Sequence, residues 1–146
     1  MKKAIAAVGV AAAIASATVA STYIDADGGG SVYGYVQKYD ALHAAGTKVI
    51  IRGACYSSCT MALGYDNACL EPGAVLGFHP AYVPYLFGLF SYRLDPAATD
   101  VMRQHYPDDA LAIINHHGGL NYNGGWLRPA IRTIKAAEFP AHYHCA

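Results

Sequence analysis

Thr22-Tyr23-Ile24-Asp25, then Asp27-Gly28-Gly29-Gly30, then Ser31 to Leu42, then Thr47-Lys48-Val49-Ile50-Ile51-Arg52: the order of these four stretches decides the fold class. The first is short and β-prone. Three successive glycines permit backbone shapes closed to other residues and let another group approach the main chain closely. Ser31 is a good N-cap, and Val32, Tyr35, Val36, Tyr39 and Leu42 recur at helical spacing until Gly46 stops the helix. Thr47 to Arg52 is a β-branched, apolar run that reads as a buried strand, with Gly53 expected to end it. Strand, glycine turn, helix and strand in this order predict an α/β domain built on a parallel sheet.

Downstream, the small residues Ser57 to Leu63 predict a helix beginning at Ser57 or Ser58. Tyr65-Asp66-Asn67 turns the chain, Cys69-Leu70 is a short strand, Pro72-Gly73 is a turn, and Val75 to Phe78 is a strand ending at His79. Asp95-Pro96 combines an N-cap with proline at the first helical position, which opens a helix running to about Tyr106. Asp108 is expected to cap another helix, ended by Gly118-Gly119. A last helix is expected around Leu127 to Ala137, before the tail that holds Cys145. Ala81 to Leu94, AYVPYLFGLFSYRL, reads as core, cleft wall or subunit contact; an exposed peptide-binding patch is the sharper alternative.

With 146 residues, 54% hydrophobic and 14% charged, the chain suits one packed domain and argues against a disordered one. Formal net charge is zero and no basic stripe is present, which argues against a nucleic-acid partner. The first twenty residues stand apart. Lys2 and Lys3 precede an uncharged, Ala-rich run, and Ala15-Ser16-Ala17 and Thr18-Val19-Ala20 offer small residues where a signal peptidase would cut. The segment is therefore expected to be a secretory signal, leaving residues 21–146 as a mildly acidic mature domain outside the cytosol. A first packed helix and an uncleaved membrane anchor are the other readings.

Four cysteines remain: Cys55, Cys59, Cys69 and Cys145. An even count behind a signal reads as two disulfides, and four cysteines allow three pairings. Cys59 with Cys69 would close a short loop and leave Cys55 to tie down Cys145, and that pairing is the expectation; buried free thiols are the alternative. A zinc site using Cys145, His142 and His144 fits no tetrahedral spacing, so no metal or cofactor is expected.

Gly53-Ala54-Cys55-Tyr56-Ser57-Ser58-Cys59-Thr60 carries the chemistry. A serine where a strand turns into a helix stands at the C-terminal edge of the sheet, where unpaired helix N–H groups can stabilise an oxyanion. Its hydroxyl needs a base, and His79, ending the next long strand, should emerge at the same edge. The Gly28–Gly30 turn also lies at a strand's C-terminal end. Taken singly, each feature is more often a cap, a structural histidine or a turn. Their shared placement makes the combination informative.

These residues carry a resemblance. DGGGSVYGYVQKYDAL (27–42) resembles the strand–SPGGSV–helix pattern of the Clp protease proteolytic subunit (ClpP) family. GACYSSCTMAL (53–63) resembles that family's GxxxS turn, with Ser57 at the nucleophile position. ACLEPGAVLGFHPA (68–81) is similar to its CLPNSxxMIHQP segment, with His79 at the base position. The pair CxSxCT and LGFHPA looks like secreted or periplasmic ClpP-like proteins of bacteria and phages, in which a cysteine near the C-terminus also recurs. The likeness covers residues 22–82 well and the remainder only in outline, through His117 to Leu120. It departs where Asp27-Gly28 replaces Ser-Pro, and the third catalytic residue does not align: Asp95, Asp100, Asp108 and Asp109 all follow His79.

The resemblance implies a minimal ClpP/crotonase-like domain and a serine hydrolase, foremost a peptidase, acting on a peptide or small acyl substrate. Ser57 would attack, His79 would shuttle the proton, and the N–H groups of Gly29 or Gly30 and of Ser58 would hold the oxyanion. It also implies self-association into a homo-oligomer. The same scaffold hosts crotonase-type thioester chemistry, and a catalytically silent binding or assembly module stabilised by disulfides is the rival from another class. A Cys55 or Cys59 nucleophile fails if those thiols are oxidised. The membrane enters only through an uncleaved N-terminal segment.

Overall fold

The computed structural model describes residues 19–85, 91–121 and 130–146, so the signal-like start lies almost wholly outside the described residues. Strand β1 (Ser21–Asp27) leads through the glycine turn into helix α1 (Val32–Ala44), whose cap is Ser31, its hydroxyl accepting from the Gly34 N–H. Strand β2 (Lys48–Tyr56) lies parallel to β1. A 3-10 segment (Ser57–Gly64) follows, then β3 (Ala68–Leu70) and β4 (Val75–Phe78), both parallel to β2. β5 (Tyr82–Tyr85) and β6 (Ser91–Leu94) pair as a separate antiparallel ribbon. Helices α2 (Pro96–His105) and α3 (Asp108–His116) precede β7 (Arg132–Lys135). The fold is thus α/β: a mixed sheet, largely of parallel strands, with helices packed on it.

Several expectations are corrected. The sheet is mixed because β7 runs antiparallel to β4, pairing Leu76 with Ile134. That strand occupies part of the stretch read as a last helix over Leu127 to Ala137; residues 127–129 lie outside the described set. The β-branched Ile131, Thr133 and Ile134 suit a strand, and β4 offers an unpaired edge whose hydrogen bonds outweigh the helix propensity of the alanines. Ile134 is fully buried there.

Gly53 does not end β2, which runs on to Tyr56. Opposite Asp25, β2 spends two residues, Arg52 and Gly53, where β1 spends one, as the register shift between Ile24 and Ala26 records. A Cβ on Gly53 would stand 1.9 Å from the Asp25 carbonyl oxygen, so only glycine permits this bulge. The residues after Ser57 form a 3-10 rather than an α-helix. Asp108 sits in the first turn of α3, and Pro107, not Asp108, occupies its cap. Asp95-Pro96 starts α2 as expected, the Asp95 carboxylate accepting from the Ala98 N–H at 3.0 Å.

All four cysteines are paired, but not as expected: the bonds are Cys55–Cys59 and Cys69–Cys145. The tail explains the difference. It runs beside β3, with His144 bridging Leu70 and the Cys145 N–H donating to the Leu70 carbonyl at 3.0 Å, which sets Cys145 against Cys69. Cys55, at the buried end of β2, meets Cys59 across the tight turn at Ser57. His142 and His144 take separate partners, Asp109 and the Ala136 and Phe139 carbonyls, and no metal-binding group forms among the described residues.

Candidate functional site

Register brings the candidate residues to one level. Asp27 pairs with Cys55, so two residues on, Gly29 stands beside Ser57; Tyr56 pairs with Gly77, so His79 follows just past the end of β4. A Cβ on Gly29 would lie 2.6 Å from Ser57 Cβ and 2.6 Å from the Tyr56 carbonyl oxygen. Glycine at this position is therefore a requirement of close approach, and its φ of +78° suits it. Gly28, Gly29, Gly30, Ser57, His79 and Tyr82 line one cleft of about 380 Å³, to which Ile131 also contributes.

Ser57 has φ +59°, the only non-glycine residue among those described with positive φ. Such a residue persists only where its surroundings over-determine it, at a cost of about 1–3 kcal/mol. Those surroundings are identifiable. The buried Thr60 hydroxyl donates to the Ser57 carbonyl at 2.6 Å and meets the Tyr106 hydroxyl at 2.7 Å. The buried Ser58 hydroxyl accepts from the Gly30 N–H at 2.8 Å and donates to the Gly30 carbonyl at 3.0 Å, latching the glycine turn to the serine turn. The Tyr39 hydroxyl donates to the Cys59 carbonyl at 2.7 Å from the underside.

His79 is buried, with Nδ1 2.8 Å from the Pro80 carbonyl oxygen and its ring 5.2 Å from the Tyr82 ring. If Nδ1 carries the proton and donates to Pro80, the lone pair belongs to Nε2, the nitrogen a proton shuttle uses. Helix α2 fixes the segment: Thr99 Oγ1 accepts from the Ala81 N–H at 2.9 Å, and the Asp95 N–H donates to the Ala81 carbonyl.

Of the N–H groups expected to hold an oxyanion, those of Gly29 and Gly30 already donate, to Asp27 Oδ1 at 2.9 Å and to Ser58 Oγ. The oxyanion role of these two now competes with those bonds, while Ser58 is the second residue of the 3-10 segment, in the first turn, where N–H groups have no intrahelical partner. Three of the four aspartates considered as a third member have other work. Asp95 caps α2, Asp100 pairs with Arg103 at 3.0 Å, and Asp109 accepts from the Tyr143 hydroxyl at 2.7 Å and pairs with His142 at 3.0 Å. Asp108 is exposed on α3.

Asp27, which the sequence marks only as a departure from Ser-Pro, organises the site. Its carboxylate accepts from the Gly29 N–H, the Tyr35 hydroxyl and Lys38 Nζ, so it shapes the glycine turn. Burial pushes its pKa up, but the bonds from Tyr35, Gly29 and Lys38 outweigh this and hold it below the usual carboxylate value. Burial, and then the same carboxylate, push the Tyr35 hydroxyl well above an ordinary tyrosine. An aspartate two residues before a glycine is an Asx-turn signal, and it was available in the sequence.

Of the expected site residues, the structure brings Ser57, His79, Gly29 and Gly30 to one cleft, and it gives Ser58 a latching hydroxyl. Comparison with protein-family models, with curated proteins and with solved structures gives no match to this chain.

Proposed function

We propose that this chain is a minimal ClpP/crotonase-like serine hydrolase, foremost a peptidase, acting on peptides or small acyl compounds. One observation carries the reading: a serine held at left-handed φ on a strand-to-helix turn faces the same cleft as a buried histidine and a glycine turn. A strained nucleophile turn of this kind exposes Oγ above the end of a sheet. In the proposed reaction His79 Nε2 takes the Ser57 proton as Oγ attacks the acyl carbon. The Ser58 N–H stabilises the developing oxyanion, and the proton then passes to the leaving group. Water repeats the sequence to release the acyl product.

Two disulfides fit a secreted or periplasmic protein, in which residues 1–20 are the export signal. No described helix is long and apolar enough to cross a membrane. Outside the cytosol, ATP-driven unfoldases are absent, so substrates would be short or already unfolded chains. Self-association remains part of the proposal through the ClpP resemblance alone.

The binding-module reading draws on a specific observation too: Asp95, Asp100 and Asp109 are engaged away from the cleft, and the Pro80 carbonyl meets His79 Nδ1. Labelling with a fluorophosphonate probe decides between them. Wild type should label at Ser57, with labelling abolished by Ser57→Ala and reduced at least a hundredfold by His79→Ala, within the range general-base catalysis supplies. Absence of labelling in folded wild type sinks the hydrolase reading and leaves the binding module.

A further inference from the structure

The Cys55–Cys59 bond encloses the site. Ser57 stands at the centre of the five-residue ring, two residues from each sulfur-bearing position. The Cα atoms of Cys55 and Cys59 are 5.5 Å apart, whereas four residues of continued strand would carry the chain roughly 13 Å. The chain must therefore double back between them, and Ser57 is the residue that does so, at φ +59°. Both cysteines are fully buried, Cys55 at the end of β2 and Cys59 under α1, where Tyr39 holds its carbonyl. The ring is thus anchored in the core on both sides of the serine.

The geometry points to this disulfide as a positioning clamp: it holds Ser57 in the left-handed conformation that presents Oγ to the cleft, so the site is set only while the bond is closed. Its relevance to chemistry rests on the hydrolase reading; its control of Ser57 φ does not. The hydrogen bonds from Thr60 and Ser58 reach only the carbonyl of Ser57 and the neighbouring turn. They help to hold the turn, but each can exchange its partner for water. The disulfide alone forbids the extended alternative covalently.

The test compares Cys55→Ala/Cys59→Ala with Cys69→Ala/Cys145→Ala in the oxidised mature protein, at a temperature where each is folded. Two quantities are measured: the rate of fluorophosphonate labelling, and the three-bond HN–Hα coupling of Ser57, which reports φ whether or not the serine reacts. The first variant should lose labelling at least tenfold and shift the coupling away from its left-handed value. The second should keep both, although it opens the larger ring. Unchanged coupling and rate in Cys55→Ala/Cys59→Ala overturns the clamp. If wild type shows the left-handed coupling but never labels, the hydrolase reading has failed and the coupling alone judges the clamp. Should the first variant fail to fold, adding Ser57→Gly, which accepts left-handed φ without strain, must restore folding; no rescue also overturns the proposal.

Discussion

The two disulfides divide the molecule into regions held by different means. Cys55–Cys59 spans four residues within the parallel half, where β1, β2 and β4 already share a ladder and a core. Cys69–Cys145 spans 76 residues and ties the tail to β3, a strand of three residues at whose side the tail makes an isolated bridge. Chain-entropy arguments assign the small ring about 2 kcal/mol and the large ring about 4.5 kcal/mol. Of the two bonds, the one that does not line the cleft therefore contributes the more to stability, while the bond around Ser57 constrains a single turn. Strength and placement are separated in this fold.

The comparison can be broken by measurement. Cys69→Ser/Cys145→Ser should show the largest effect, a loss of about 4 kcal/mol and a Tm lowered by more than about 10 °C in thermal unfolding followed by circular dichroism. Cys55→Ser/Cys59→Ser should cost about half as much. The reverse order would show that the small ring carries the fold. Ser58→Ala should come third, at about 1–2 kcal/mol, because the Gly30 N–H loses its acceptor. Combined with the opened Cys55–Cys59 ring its cost should differ from the sum, since both changes act on one turn. Combined with the opened Cys69–Cys145 ring the costs should add.

The smallest expected effect is a pH dependence at Asp27. Its folded pKa lies below the ordinary value near 3.9, so its stabilisation is fully present above about pH 4 and is lost as pH falls through the lower folded value. Asp27→Asn should therefore match wild type in urea midpoint at the acid end and fall behind it as pH rises. Parallel curves at all pH values would remove Asp27 from the account of the glycine turn.

The parallel half was legible because its signals are local. Apolar runs, a capped helix of regular period and three glycines sit within thirty residues, and neighbours in sequence become neighbours in the sheet. Ser57 and His79 could be placed together for the same reason, each being the residue after a strand end. What failed depended on distant partners. The bulge at Gly53 exists because of Asp25 on another strand, and β7 forms because β4 offers an edge. The disulfide pairing follows the tail's path along Leu70, which no spacing of cysteines encodes. Within the site, the Ser58 latch and the Asp27 contacts depend on side-chain direction, which becomes defined only once both turns are built.

The unequal rings also impose an order in time. A chain is made from its N-terminus, so Cys55, Cys59 and Cys69 all emerge long before Cys145. During that interval Cys69 lacks its native partner while Cys59 stands ten residues away, and loops of that length close within about 10–100 ns. Cys59–Cys69, the pairing expected from the sequence, is therefore a kinetic competitor, and undoing it requires slow thiol–disulfide exchange. Early closure of Cys55–Cys59 removes that competitor and keeps Cys69 unspent for the tail. Alkylation-quenched refolding should trap Cys55–Cys59 before Cys69–Cys145, so the weaker bond is the chaperone of the stronger one.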